Sequence, residues 1–121
     1  MNSAQFMEVN DMSMEICKYD RYIYDDDAKI IANEGVSSES MWYQYFEPAV
    51  NELNLCYFKN EGRIKKCNQE AVMKELELLN EWVEHNVDDN TDRKYLKTKI
   101  QNIQKFIPEA LQEENDILYI F

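Results

Sequence analysis

Carboxylates are plentiful in this chain of 121 residues, but they follow no spacing rule that would indicate catalysis. The only histidine, His85, falls at the end of a predicted helix, where a positive charge is commonly stabilising. No HExxH, GxSxG, phosphate-loop or Rossmann fingerprint occurs. The sequence therefore predicts neither an enzyme nor a cofactor, and the enzymatic alternative is an unrecognised hydrolase that uses two carboxylates.

Metal and disulfide chemistry are also disfavoured. Cys17, Cys56 and Cys67 are odd in number and form no CxxC pair, so we expect buried, reduced thiols rather than a disulfide framework or a zinc site. Residues 88–92 alternate like an EF-hand calcium loop. The glycine required at position six is Arg93, and the glutamate required at position twelve is Lys99, which argues against calcium.

The densest chemical signal is a run of tyrosines that leads into three consecutive aspartates. Adjacent like charges weaken a compact state and call for an explanation. One interpretation is a solvated loop or helix start. The other is a binding patch, whose carboxylates face lysine and arginine side chains of a partner while tyrosine rings supply contact area. The predicted partner-binding residues in this run are Tyr19, Asp20, Tyr22, Tyr24, Asp25, Asp26 and Asp27.

A second group of predicted partner-binding residues lies further along the chain. Trp42 and Phe46 share one face of a predicted helix and should be buried, which leaves Tyr43 on another face. Exposed tyrosine between Glu39 and Glu47 has the composition of a contact surface. Ordinary amphipathic packing is the alternative. Glu39, Tyr43 and Glu47 complete the predicted site.

Charge narrows the class of partner. The chain has 24 acidic and 13 basic side chains, a net charge of −11. Residues 1–61 hold 12 acidic and 4 basic side chains, whereas residues 62–121 hold 12 and 9, so the excess negative charge lies in the first half. This balance excludes nucleic-acid binding through phosphate neutralisation and disfavours an anionic membrane. It predicts a basic protein partner.

The elements that must position these residues are clearest in the second half. Apolar residues recur at helical spacing near residues 69–85 and again after Thr91, which we predict as a helix cap. Pro108 should kink or end the second helix, after which a short helix can restart. About five residues join the two helices, so we expect a helical hairpin.

The remaining segments are less regular. Ser37 or Ser38 can cap a helix over residues 39–53 that Pro48 should bend. Residues 55–58 are predicted as a short strand paired in a hairpin with residues 63–65, and residues 117–121 as a terminal strand or a docked apolar tail.

The secondary structure of the N-terminal region is less clearly predicted. Residues 3–12 are weakly helical, and residues 14–24 suit strand or helix equally. Only two glycines and two prolines occur, which favours long helices over a turn-rich β sandwich. The length of the chain predicts a single α+β domain over residues 1–121. It is mainly helical, with a small β component.

In its overall character the chain resembles bacterial immunity proteins of the contact-dependent growth inhibition or colicin type. The resemblance rests on small size, acidity, the segment from Tyr22 to Asp27 and the hydrophobic terminus, and not on a motif. It implies a cytoplasmic antitoxin that binds one cognate toxin domain, a DNase or tRNase, and covers or adjoins its active site. It implies no small-molecule substrate.

Two other functions remain open from the sequence. One is a phage-type inhibitor that mimics nucleic-acid charge, such as an anti-CRISPR protein, which needs rows of carboxylates spaced like phosphates. The other is a helical adaptor module that makes contact through Leu78, Trp82 or residues 117–121. The N-terminus has no basic region followed by an apolar stretch, so we expect a cytoplasmic protein.

Overall fold

The structure is a computed structural model that describes residues 12–121. Of the described residues, 52% are helical and 21% lie in strands. The predicted α+β class with a helical majority is therefore confirmed. The helical tendency predicted over residues 3–12 lies, apart from Met12, outside the described residues.

Within residues 12–121, four antiparallel strands form one sheet in the order β2-β1-β4-β3. The C-terminal strand β4 lies between β1 and β3, which confirms the terminal strand as one of the two predicted alternatives. The segment 14–24 begins as strand β1 and continues as a loop. The strands are β1 (Ser13–Tyr19), β2 (Ile30–Ser38), β3 (Arg63–Lys65) and β4 (Ile117–Ile120).

Strand β2 was not predicted, because its sequence IIANEGVSS does not alternate between apolar and polar residues. It pairs with β1 in a register that shifts between Met14 and Glu15 and again between Lys18 and Tyr19. Such irregularities let a strand follow its neighbour without a matching hydrophobic pattern. Pairing with β1, rather than its own pattern, defines β2.

The predicted helix over residues 39–53 is present and begins as expected, since Ser38 Oγ accepts the Met41 N–H. It has three parts: α1 (Glu39–Met41), a π-helical turn (Trp42–Phe46) and α2 (Glu47–Leu53). The Glu47 N–H donates to the Trp42 carbonyl, five residues back. Pro48 cannot donate, and its ring crowds the carbonyl four residues earlier, so the predicted bend takes the form of a wider turn just before the proline.

Two long helices follow, α3 (Gln69–Asn86) and α4 (Asn90–Ala110). Asp89, not Thr91, caps α4, because its carboxylate accepts the Asp92 N–H at 2.9 Å. Pro108 lies inside α4, which ends two residues later, so the predicted restart of a helix after Pro108 is wrong. No described helix is long and apolar enough to cross a membrane.

The core lies between the sheet and the helices. One face of the central strands supplies Ile16, Leu118 and Ile120, all completely buried. The apolar stripes predicted for the long helices pack against them. The buried helical residues are Val72, Leu76, Leu79, Val83, Leu96, Ile100, Ile103 and Ile107.

The prediction of a strand over residues 55–58 is wrong. This segment is a loop, and its backbone N–H groups donate to the Glu75 carboxylate of α3 instead of to a strand. The predicted partner, residues 63–65, does form a strand, β3, but it pairs with β4. Contacts with a single half-buried carboxylate thus replace the expected hairpin ladder.

The cysteines differ from expectation in their burial. Cys17 is buried in β1, whereas Cys56 and Cys67 are exposed. All three are free thiols. The expectation of reduced cysteines therefore holds, and the expectation that all three are buried is wrong.

Candidate protein-binding surface

The predicted site centres on the connection between β1 and β2, residues 20–29, which we call the acidic loop. Its ends are joined by two hydrogen bonds: the Asp20 N–H donates to the Lys29 carbonyl, and the Lys29 N–H donates to Asp20 Oδ1, both at 2.9 Å. Inside the loop, the Asp25 N–H donates to the Tyr22 carbonyl and the Ala28 N–H to the Asp25 carbonyl. The loop is therefore built from two consecutive turns and closed at its base.

Arg21 pairs with two of the four carboxylates in the acidic loop and leaves the other two unpaired. Its guanidinium donates to Asp27 Oδ2 at 2.7 Å and lies 3.5 Å from Asp20 Oδ1. Donation from the Lys29 backbone N–H, aided by Arg21, lowers the pKa of Asp20. The exposed carboxylates of Asp25 and Asp26 form no hydrogen bond or ion pair with another described residue. The loop therefore presents two negative charges that remain available to a partner.

The loop tyrosines form a cluster above the sheet. Tyr22 is 56% exposed and Tyr24 is 69% exposed, and their rings meet edge to face with centroids 5.3 Å apart. Tyr19 is half-buried against Tyr119 of β4, at 6.0 Å. The structure thus brings all three predicted tyrosines together with the aspartates.

Two residues of this surface were missed from the sequence. Tyr119 alternates with the core residues Leu118 and Ile120, so it faces the opposite side of the sheet. Arg63 of β3 lies over the Tyr119 ring at 5.6 Å and donates to the Tyr24 hydroxyl at 3.5 Å. The alternation of side chains along a strand could have placed Tyr119 on this surface. Arg63 could be placed there only once the order of the strands in the sheet was known.

A cleft of about 280 Å³ opens at the base of the acidic loop, where β1 ends and β4 begins. Asp116 lies at its edge and accepts backbone N–H groups of Gln112 and Glu113, with Lys18 Nζ 3.2 Å away. These donors, above all the Glu113 N–H, lower the pKa of Asp116. The cleft therefore contains ionised carboxylate beside aromatic rings.

The second predicted group lies elsewhere. The Glu39 N–H donates to the Met12 carbonyl, at the start of β1, whereas the acidic loop follows the end of β1. The strand length separates them by about 20 Å at about 3.3 Å per residue. Tyr43 is exposed, and Glu39 and Glu47 are half-buried. The structure does not bring these three residues to the loop.

A further acidic cluster surrounds Tyr45, which is not one of the predicted partner-binding residues. The Tyr45 hydroxyl donates to Asp92 Oδ2 at 2.6 Å. This bond, with burial and the nearby charges of Asp92, Asp89 and Asp88, raises the pKa of Tyr45 to about 12. Because Asp92 already accepts a proton donor and Asp89 caps α4, this cluster serves the fold.

The described residues also give the arrangement of potential metal ligands and of the histidine. Among residues 12–121, no three His, Cys, Asp or Glu side chains group closely enough to hold a metal ion. His85 is exposed in the last turn of α3, which confirms its predicted position at the end of this helix. Comparisons with protein-family models, curated proteins and solved structures give no match.

Proposed function

We propose that the chain is an acidic immunity protein that binds a basic toxin domain and neutralises it by stoichiometric occlusion. The observation that carries the proposal is the acidic loop, where exposed tyrosines lie beside two carboxylates that form no hydrogen bond or ion pair with another described residue. Tyrosine is enriched at interfaces, and carboxylates pair with lysine and arginine. The proposed toxin is a nuclease, DNase or tRNase, because an enzyme that acts on a polyanion has a basic active site.

Charge supports a fast encounter between the two proteins. A net charge of −11 attracts a basic partner over distances beyond contact. Steered association can reach about 10⁸–10⁹ M⁻¹s⁻¹ at low salt, against about 10⁵–10⁶ M⁻¹s⁻¹ without steering. An inhibitor that must reach a toxin before its substrate does benefits from this rate.

The internal bonds of the acidic loop support tight binding. The Asp20–Lys29 pair and the Arg21–Asp27 ion pair hold the loop before any partner arrives. A preordered loop loses less conformational entropy on binding, so more of the contact energy appears as affinity. Edge-to-face packing of Tyr22 on Tyr24 adds to this order.

The proposal also assigns a scaffold role to the second half of the chain. We infer that α3 and α4 form an antiparallel helical hairpin that supports the sheet from the face opposite the tyrosines. The connection of three residues, 87–89, and the Lys97–Glu84 ion pair at 2.5 Å between the helices favour this arrangement. The proposed compartment is the cytoplasm, where a nuclease toxin meets its substrate.

The test is capture of the partner from cells of the source organism with tagged chain. Wild type is compared with two variants of equal charge, Asp25→Ser/Asp26→Ser and Glu77→Ser/Glu81→Ser. The second pair is exposed on α3 and contacts no other described residue. We expect wild type and the α3 variant to retain a basic toxin fragment at one-to-one stoichiometry, and the loop variant to lose it in a salt wash.

Other partners would contradict the proposal. A CRISPR effector or another DNA-binding protein, bound equally by both variants, would indicate nucleic-acid mimicry. The adaptor function is favoured by one observation, Leu78, which is 48% exposed on α3. An adaptor partner would be lost on Leu78→Ser and would bind independently of ionic strength, whereas charge-steered binding slows as salt screens it.

A further inference from the structure

The cleft at the base of the acidic loop combines features that favour one kind of ligand. Three rings, those of Tyr19, Tyr22 and Tyr119, line it. The other lining residues are Asp20, Arg21, Asn115, Asp116 and Ile117. With a volume of about 280 Å³, the cleft is large enough for a long side chain and too small for a folded element.

Tyr119 provides the first specific observation. It is only 7% exposed, yet its hydroxyl group forms no hydrogen bond with another described residue. The hydroxyl oxygen itself is open to solvent, since the buried polar atoms without a partner in the described residues are Trp42 Nε1 and Asn80 Oδ1. Since Tyr119 lines the cleft, a ligand in the cleft can bond to this hydroxyl.

The charges of the lining provide the second observation. Asp20 and Asp116 each have one oxygen, Oδ1 and Oδ2 respectively, engaged by groups in the chain. No hydrogen bond from another described residue reaches Asp20 Oδ2 or Asp116 Oδ1. The only cation in the lining, Arg21, is already paired with Asp20 and Asp27. The cleft thus keeps carboxylate oxygens that its own cation does not occupy.

We propose that this cleft receives an arginine side chain of the protein partner, an inference that rests on the proposed function. A guanidinium group stacks on tyrosine faces and carries five N–H donors, which suits a cleft with rings on its walls and acceptors at its edge. Lysine offers a single compact charge and cannot stack in this way. Arginine is also among the residues most enriched at interface hot spots.

The test uses a peptide probe and the chain as it exists. Capped Gly-Arg-Gly and capped Gly-citrulline-Gly are titrated into isotope-labelled protein, and amide shifts are followed by NMR. Citrulline keeps the length and planarity of arginine without its charge. We expect saturable shifts at Tyr22, Asn115 and Tyr119 with the arginine peptide, and binding at least fivefold weaker with citrulline.

Two variants locate the binding. Tyr22→Ala removes a cleft wall and should weaken the arginine peptide at least fivefold, whereas Tyr43→Ala, an equally exposed tyrosine elsewhere, should leave binding unchanged. Tyr119→Phe removes only the hydroxyl and is the conservative variant if Tyr22→Ala unfolds. Equal binding of citrulline, or shifts spread over α3 and insensitive to Tyr22→Ala, would overturn the assignment.

Failure of this inference is distinguishable from failure of the proposed function. A chain that captures a toxin through Asp25 and Asp26 but does not bind the arginine peptide refutes only the cleft. A chain that binds the peptide in the cleft but captures no toxin supports the cleft and contradicts the immunity function.

Discussion

Glu75 allows the sharpest test of how the loop over residues 55–58 is held. Its carboxylate accepts three consecutive backbone N–H groups: Cys56 at 2.6 Å, Tyr57 at 3.1 and 3.3 Å, and Phe58 at 2.9 Å. Phe58 is fully buried, and its ring packs against Trp42 and Phe46. The carboxylate therefore fixes the backbone that delivers a core ring.

The substitution Glu75→Gln isolates this role, because it keeps the size of the side chain. Glutamine has one acceptor oxygen and must turn an NH₂ group toward at least one of the backbone donors. Hydrogen bonds to charged groups contribute about 1.5–3 kcal/mol each. Since Gln retains part of the set and exposed Cys56 can bond to water, we expect a loss of about 1–3 kcal/mol in the free energy of unfolding.

The assay is denaturant unfolding followed by tryptophan fluorescence, to which buried Trp42 beside Phe58 should respond. Glu77→Gln is the matched control, because Glu77 is exposed two residues along α3 and contacts no other described residue. The control should lie within about 0.5 kcal/mol of wild type. If the Glu75→Gln and Glu77→Gln variants unfold at the same denaturant concentration, the proposed role of Glu75 is refuted.

Three further predictions concern stability. Gly62→Ala should cost about 1–3 kcal/mol, because a Cβ atom would overlap the Tyr57 carbonyl oxygen; chemical denaturation measures it. Tyr45→Phe removes a hydroxyl that donates to a carboxylate in α4 and should cost about 1–2 kcal/mol in the same assay, while absorbance at high pH should lose the tyrosine that titrates near pH 12. Glu113 N–H donation lowers the pKa of Asp116 below its ordinary value of about 3.9, so the stabilisation is complete above about pH 5, declines as the pH falls below about 3.9, and is lost as the pH falls through the lowered pKa of the folded state. Asp116→Asn should flatten the stability profile between about pH 5 and pH 3, and an unchanged profile would contradict this.

The long helices were predictable because their signals are local. Apolar spacing marks α3 and α4 directly, and the Ser38 cap marks the start of the helix at Glu39. The errors arose where a distant residue decides the local structure. Residues 55–58 look like a strand, but Glu75 takes their N–H groups. Strand β2 exists because β1 offers it a pairing edge.

The candidate site was predictable only where its residues are neighbours in the sequence. The run from Tyr19 to Asp27 is contiguous, so its members lie together in any fold that makes it a loop. Tyr119 and Arg63 join them only through the strand order, which brings β4 and β3 beside β1. Glu39, Tyr43 and Glu47 share the composition of the loop, but the length of β1 separates them from it. Composition indicates a surface, and topology decides which residues share it.

The central claim is that the acidic loop binds and neutralises a basic toxin. The most direct measurement is the activity of the captured toxin domain, titrated with wild type, Asp25→Ser/Asp26→Ser and Glu77→Ser/Glu81→Ser chains. We predict complete inhibition by wild type and the α3 variant at one-to-one stoichiometry. The loop variant should bind at least tenfold more weakly, which is about 1.4 kcal/mol. Equal inhibition by both variants, or no inhibition by wild type, would contradict the account.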